Sequence, residues 1–137
     1  MSRPALSIGN QVRTQTILLS ALCGSALAAF TAATWKFLMP QSGQVVGVTL
    51  NVNQRGGTHA TSTVDVKAGA NSLLGALFDV AALTPATPVN KEGSSLSASA
   101  ASVAKDTAMS VVVAVSGGSS PTWADVTVQI DYIPLGD

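Results

Sequence analysis

Chemistry-bearing residues are scarce in this sequence. Its 137 residues include one cysteine, Cys23, and one histidine, His59. A single cysteine forms no internal disulfide, and set among leucine and alanine it reads as a small buried hydrophobe. A zinc site needs several Cys, His or acidic ligands converging on the metal, a set this inventory does not suggest. Charge is equally thin. Seven basic and seven acidic residues give a formal net charge of zero, and charged residues make up 10% of the chain, against about 25% in an average soluble domain. Seven scattered cations make no basic track for a phosphate backbone, so nucleic acid is not an expected partner. Aromatics reach only 4%.

Hydrophobic residues are plentiful, at 47%, but much of that fraction is Ala and Val. The length suits one domain, large enough to fold without a disulfide or metal staple. Weak net charge gives weak self-repulsion, which favours association.

The most apolar stretch is residues 17–30, ILLSALCGSALAAF, preceded by Arg3 and Arg13. Two readings stand side by side. With Ala26-Leu27-Ala28 as a small-residue cleavage site, the pattern is that of a secretory signal peptide. Alternatively, residues 14–22 alternate as an integral strand, and residues 1–34 form an arm or first strand of the fold. The run is too short and too rich in Ser and Gly to span a bilayer comfortably, and no membrane role is expected.

From Trp35 onward the period is two, the signature of strands. Trp35, Phe37 and Met39 share one face, and Pro40 and Gly43 turn the chain. Over residues 44–53, Val46, Val48, Leu50 and Val52 point one way. Arg55-Gly56-Gly57 reads as a hairpin turn. Val64 and Val66 then point inward, with Thr63, Asp65 and Lys67 outward. Residues 73–82 are ambiguous between a short strand and a helical turn. Residues 84–93, with Pro85 and Pro88, read as a loop or extended edge. Residues 94–103 alternate weakly, with small side chains. Met109, Val111, Val113 and Val115 form the strongest core strand, Gly117-Gly118 a loop, and Ala124, Val126, Val128, Ile130 and Tyr132 the inner face of a final strand that Pro134 stops. Seven or eight short strands with a turn roughly every ten residues describe an all-β antiparallel sandwich, residues 35–137.

No active site emerges. A Ser-His-Asp arrangement must use His59 with an acid such as Asp65 or Asp79, and no nucleophile elbow accompanies them. The acids Asp65, Asp79, Glu92, Asp106, Asp125, Asp131 and Asp137 fall singly on turns and polar strand faces, without the spacing of a calcium loop. The expectation is therefore no catalytic, cofactor-binding or metal-binding residue, no cofactor and no enzyme. Trp35, Trp123 and Tyr132 are the residues able to stack on a sugar; core packing is the simpler reading of all three.

The run Trp35 to Val48, WKFLMPQSGQVVGV, with its aromatic strand, Pro-x-x-Gly turn and Val-rich strand, resembles the head decoration or cement proteins of tailed bacteriophages. The resemblance extends through Thr63-Val64-Asp65-Val66-Lys67 and Ser72-Leu73-Leu74 to Ser110-Val111-Val112-Val113, Gly117-Gly118 and Val126-Thr127-Val128-Gln129-Ile130, covering residues 35–133. It is compositional more than motif-based. It implies a jelly-roll-like β-sandwich with an extended N-terminal arm or strand. It also implies a structural virion protein on the outer surface of the capsid, bound to the major capsid protein and to itself as a dimer or trimer. A head-fibre or tail component shares the same signature, and a secreted carbohydrate-binding or adhesion module is the alternative outside virions. The partner contacts expected are the N-terminal arm and the loops at 54–60, 84–95 and 117–123.

Overall fold

The computed structural model describes residues 12–18, 28–29 and 33–135. The run at 17–30 read as signal or strand therefore lies mostly outside the described residues, as does Cys23.

Among the described residues ten strands follow in chain order: β1 (Arg13–Leu18), β2 (Ala28–Ala29), β3 (Ala33–Leu38), β4 (Gly43–Thr58), β5 (Thr61–Ala68), β6 (Asn71–Ser72), β7 (Phe78–Asp79), β8 (Val89–Glu92), β9 (Ala108–Ser116) and β10 (Ser119–Pro134). They form two antiparallel sheets. The first has the order β1-β10-β4-β8, with β2 also on β10, and the second has β3-β9-β5-β6, with β7 also on β5. Apart from the short β2, β6 and β7, chain neighbours thus lie in opposite sheets while distant strands pair. This interleaving, β1-β10-β4-β8 over β3-β9-β5-β7, makes the all-β fold a jelly-roll-like sandwich.

Its core is one cluster drawn from both sheets. Val48, Leu50 and Val52 of β4 pair with Ile130, Val128 and Val126 of β10; Val64 and Val66 of β5 pair with Val113 and Val111 of β9. All are at most 2% exposed. Alternation puts every second residue of each strand inside, and antiparallel pairing lines those positions up across the ladder. β-Branched side chains suit this packing, because their stiff χ1 fits a pleated surface. Trp35 and Phe37 of β3 pack partly buried against the cluster, and Met39 is fully inside it.

Four local expectations need correcting. Arg55-Gly56-Gly57 is not a hairpin turn: β4 continues to Thr58, and at His59-Ala60 the chain crosses to β5 in the other sheet. Glycine there is accommodated because Gly56 still pairs with Thr122 of β10. Val46 does not share the inner face with Val48. Asp131 pairs with Gly47 but Tyr132 with Val45, so the ladder bulges at Val46 and Val45 becomes the buried residue. The weak alternation at 94–103 is no strand but two 3-10 turns, Gly93–Ser95 and Ala98–Ala101, the second capped by the Ser97 hydroxyl. The final strand starts at Ser119 rather than Ala124. The ambiguous segment 73–82 holds both readings: the two-residue β7 and then a 3-10 turn, Val80–Ala82, which the Asp79 carboxylate caps.

Candidate functional site

Three segments expected to carry partner contacts lie far apart in sequence, and the fold gathers parts of all of them at one end of the sandwich. The β4–β5 and β9–β10 connections, each crossing from one sheet to the other, sit side by side there, with Thr58 paired to Ser119 and Thr61 to Ser116. Gly117 and Gly118 both have positive φ, +73° and +86°, a conformation that glycine adopts without the Cβ penalty. His59 fastens the two connections. The Ser62 hydroxyl lies 2.8 Å from its Nδ1, and Nε2 lies 3.2 Å from the Thr122 carbonyl. A carbonyl only accepts, so Nε2 carries the proton and Nδ1 accepts from the Ser62 O–H. With a main-chain carbonyl where a triad places a carboxylate, these contacts do not assemble a Ser-His-Asp relay.

Residues 80–88 close this end. Ala86 N–H donates to the Val52 carbonyl, and the Arg55 guanidinium donates to the carbonyls of Val80 and Leu83, the latter at 2.6 Å. Both bonds leave one guanidinium nitrogen, Nη1, whose two N–H groups hold the two carbonyls together. Arg55→Ala is expected to lower stability by about 1.5–3 kcal/mol and to speed amide exchange over residues 80–88. Hydrogen-exchange mass spectrometry reads both the size and the confinement of the effect. The rest of the expected 84–95 contact segment runs away from this end as β8.

The opposite end is built from the β3–β4 turn and the long connection 93–107. Met39 N–H donates to the Thr107 carbonyl, Gly43 and Val103 exchange hydrogen bonds, and Leu135 N–H donates to the Ser42 carbonyl. Asp106, at φ +65°, takes the left-handed turn conformation that Asp tolerates. Three apolar side chains stand exposed around this end: Val12 at 55%, Leu38 at 60% and Leu135 at 55%. Beside it opens a cavity of about 290 Å³ between Val45 and Val46 on one wall and Leu96, Ser97, Ala100 and Ala101 on the other. Sequence reasoning missed this concavity. Its signal was the small-residue run Ser97 to Ala101, which leaves space opposite a bulged strand.

The residues singled out as chemically interesting do not converge. Among the described residues no group of three or more His, Cys, Asp or Glu side chains is placed to hold a metal ion. Asp65, 8% exposed, accepts from the Ser72 hydroxyl, and Asp79 accepts from the Ala81 N–H. Trp123 and Tyr132 belong to the core, at 3% and 6% exposure, so neither presents a ring face to a sugar. The outer face of the first sheet is polar: Thr49 donates to Asn90 at 2.8 Å, Thr14 to Asp131 at 2.7 Å and the Asn51 amide to Asn53 at 2.8 Å.

The chain matches no family model and no curated protein. The interleaved sheets define the class, a jelly-roll-like all-β protein, and its two ends and outer faces are the surfaces left for contact.

Proposed function

We propose that this chain is a structural virion protein that binds the outer surface of a phage capsid lattice and stabilises the head. The observation that carries the reading is the pairing of a jelly-roll strand order with loop-built ends whose polar side chains are spent on internal fastening. His59, Arg55 and Asp65 each hold another part of the chain, and Asp79 caps the 3-10 turn that follows it, which is the economy of a contact module. Binding rests on apolar burial at about 25 cal/mol per Å², before association costs. Leu38, Leu135 and the cavity beside Val46 supply such surface at one end. Repetition over a lattice multiplies modest contacts through effective concentration. The major capsid protein is the partner, with further contacts between copies.

Two experiments test this. Imaging virions from the source phage should place the chain's density outside the shell, and heads lacking the chain should rupture at a lower temperature. Density confined to a fibre or tail would move the assignment to the head-fibre or tail alternative, and particles without the chain would overturn the virion reading altogether. Removing residues 1–11, which leaves β1 whole, should weaken binding to stripped heads at least tenfold if the N-terminal arm grips a neighbouring subunit. Unchanged binding would sink the arm. The carbohydrate-binding alternative loses its main support with Trp123 buried.

A further inference from the structure

The two outer sheet faces carry charged rows that match each other. On the first sheet, register aligns Thr14, Asp131, Gly47 and Glu92 across β1, β10, β4 and β8. This row lies outward: a Cβ on Gly47 would meet Asn90 Oδ1 at 3.3 Å and Asp131 Oδ2 at 3.5 Å, and Glu92 is exposed. Two acids thus flank a glycine. On the second sheet, register aligns Lys36, Ser110 and Lys67 across β3, β9 and β5. These positions alternate with the inward residues Phe37, Met109 and Val66, so the row also points outward. Two lysines flank a serine.

The spacing is the same in both rows. Each charged pair is separated by two inter-strand steps, roughly 10 Å. Each has a small residue at its centre, and over Gly47 the Asn90 and Asp131 side chains close in, which brings the Asp131 carboxylate toward the middle of its row. Among the described residues no hydrogen bond or ion pair engages Lys36, Lys67 or Glu92. The basic residues nearest the acidic row are directed elsewhere: Lys91 lies 5.2 Å from the Phe78 ring on the inner side, and Arg13 donates to Gln41. The acids on the second face, Asp65 and Asp79, are bonded to Ser72 and Ala81. The lysine row is bordered by exposed Leu38 and half-buried Val112, which give a facing sheet something apolar to cover.

We infer that copies of this chain stack front to back, the Asp131–Glu92 row of one copy docking on the Lys36–Lys67 row of the next. Such a contact is heterologous. It joins two different patches, so it leaves a free acidic row and a free lysine row at the ends of every open assembly, and closes only as a ring. A two-fold dimer through either row would set like charges against each other. Opposed charges steer encounter and fix register, and salt screens them. The inference concerns contacts between copies and holds whatever larger surface the chain binds.

Sedimentation velocity of the full chain over a range of concentrations at low ionic strength tests it. The wild type should self-associate, and 0.5 M salt should weaken association at least tenfold. Lys36→Glu with Lys67→Glu should be monomeric, and so should Glu92→Lys with Asp131→Asn. Mixing these two variants should restore association, because one keeps the acidic row and the other keeps the lysine row. Circular dichroism and unfolding midpoints like those of the wild type confirm that the variants are folded; a variant that fails this check is replaced by its exposed single change, Lys36→Glu or Glu92→Lys. A wild type monomeric at every concentration overturns the inference. So does association that both variants retain, or a mixture that stays monomeric.

Discussion

Phe78→Ala should cost about 3–5 kcal/mol, a large share of the roughly 5–15 kcal/mol that holds a domain folded. Phe78 lies on β7 opposite Val64 of β5 and is 1% exposed. It is the bulkiest of the fully buried side chains, in a core otherwise made mostly of valines. It also spans the layers: the Lys91 ammonium from β8, in the other sheet, stands 5.2 Å from its ring centroid. Removing the ring leaves a void that stiff β-branched neighbours cannot swing into, and takes away a cation–π contact of about 0.5–1 kcal/mol. Leu77→Ala is the control. Leu77 is the preceding residue and is 42% exposed, and its loss should cost under about 1 kcal/mol. Urea unfolding midpoints at constant m-value separate the two. Equal midpoints would show that Phe78 does not wedge the sheets together.

Gly118→Ala is the second large effect, and its cause is backbone rather than core. Gly118 has φ +86°, and a Cβ there would stand 2.2 Å from the Thr58 carbonyl oxygen and 3.1 Å from Ala60 N. These are main-chain atoms of the neighbouring β4–β5 connection, so no side chain can yield. Gly69 gives the comparison, with φ +61° and nothing within 4 Å of the same position. Gly69→Ala should cost about 1 kcal/mol, the left-handed penalty alone. Gly118→Ala should cost about 3 kcal/mol or more, since that penalty is joined by separation of the two inter-sheet connections. Amide exchange should rise at residues 57–61 and 117–122. If the two substitutions cost the same, the close approach of the connections is not what requires glycine.

The strands legible in the sequence are those with one wet face and one dry face. In β10 every second residue from Ala124 to Tyr132 is apolar and buried, and Val64 and Val66 read equally well. What escaped depends on partners rather than on local pattern. The bulge at Val46 exists because Tyr132 pairs with Val45, 87 positions earlier (132 − 45 = 87), and no alternation within β4 records it. Gly56-Gly57 resembles a turn in isolation; the strand runs through it because Gly56 pairs with Thr122 of β10, while Gly57, at φ +67°, sits where that ladder shifts register. β8 reads Val-Asn-Lys-Glu, with Lys91 where the inner face calls for an apolar residue, and the ring of Phe78 makes that lysine acceptable. The contact surfaces were legible only as a list of loops. That the β4–β5 connection, the β9–β10 connection and residues 80–88 share one end follows from the interleaved strand order, which periodicity does not encode.

That order has a consequence for how the protein is made. β10 pairs with β1, β2 and β4, so the first sheet has no centre until the last strand has left the ribosome. Until then β1 waits without a partner strand and β4 has only the four-residue β8 beside it, and most of their contacts must close across long stretches of chain. Such high contact order points to folding in milliseconds to seconds rather than microseconds, with a window in which nascent chains can pair with one another. A translation stop anywhere within residues 119–134 would shorten the one strand on which the whole first sheet depends, and would leave an aggregating product rather than a smaller domain.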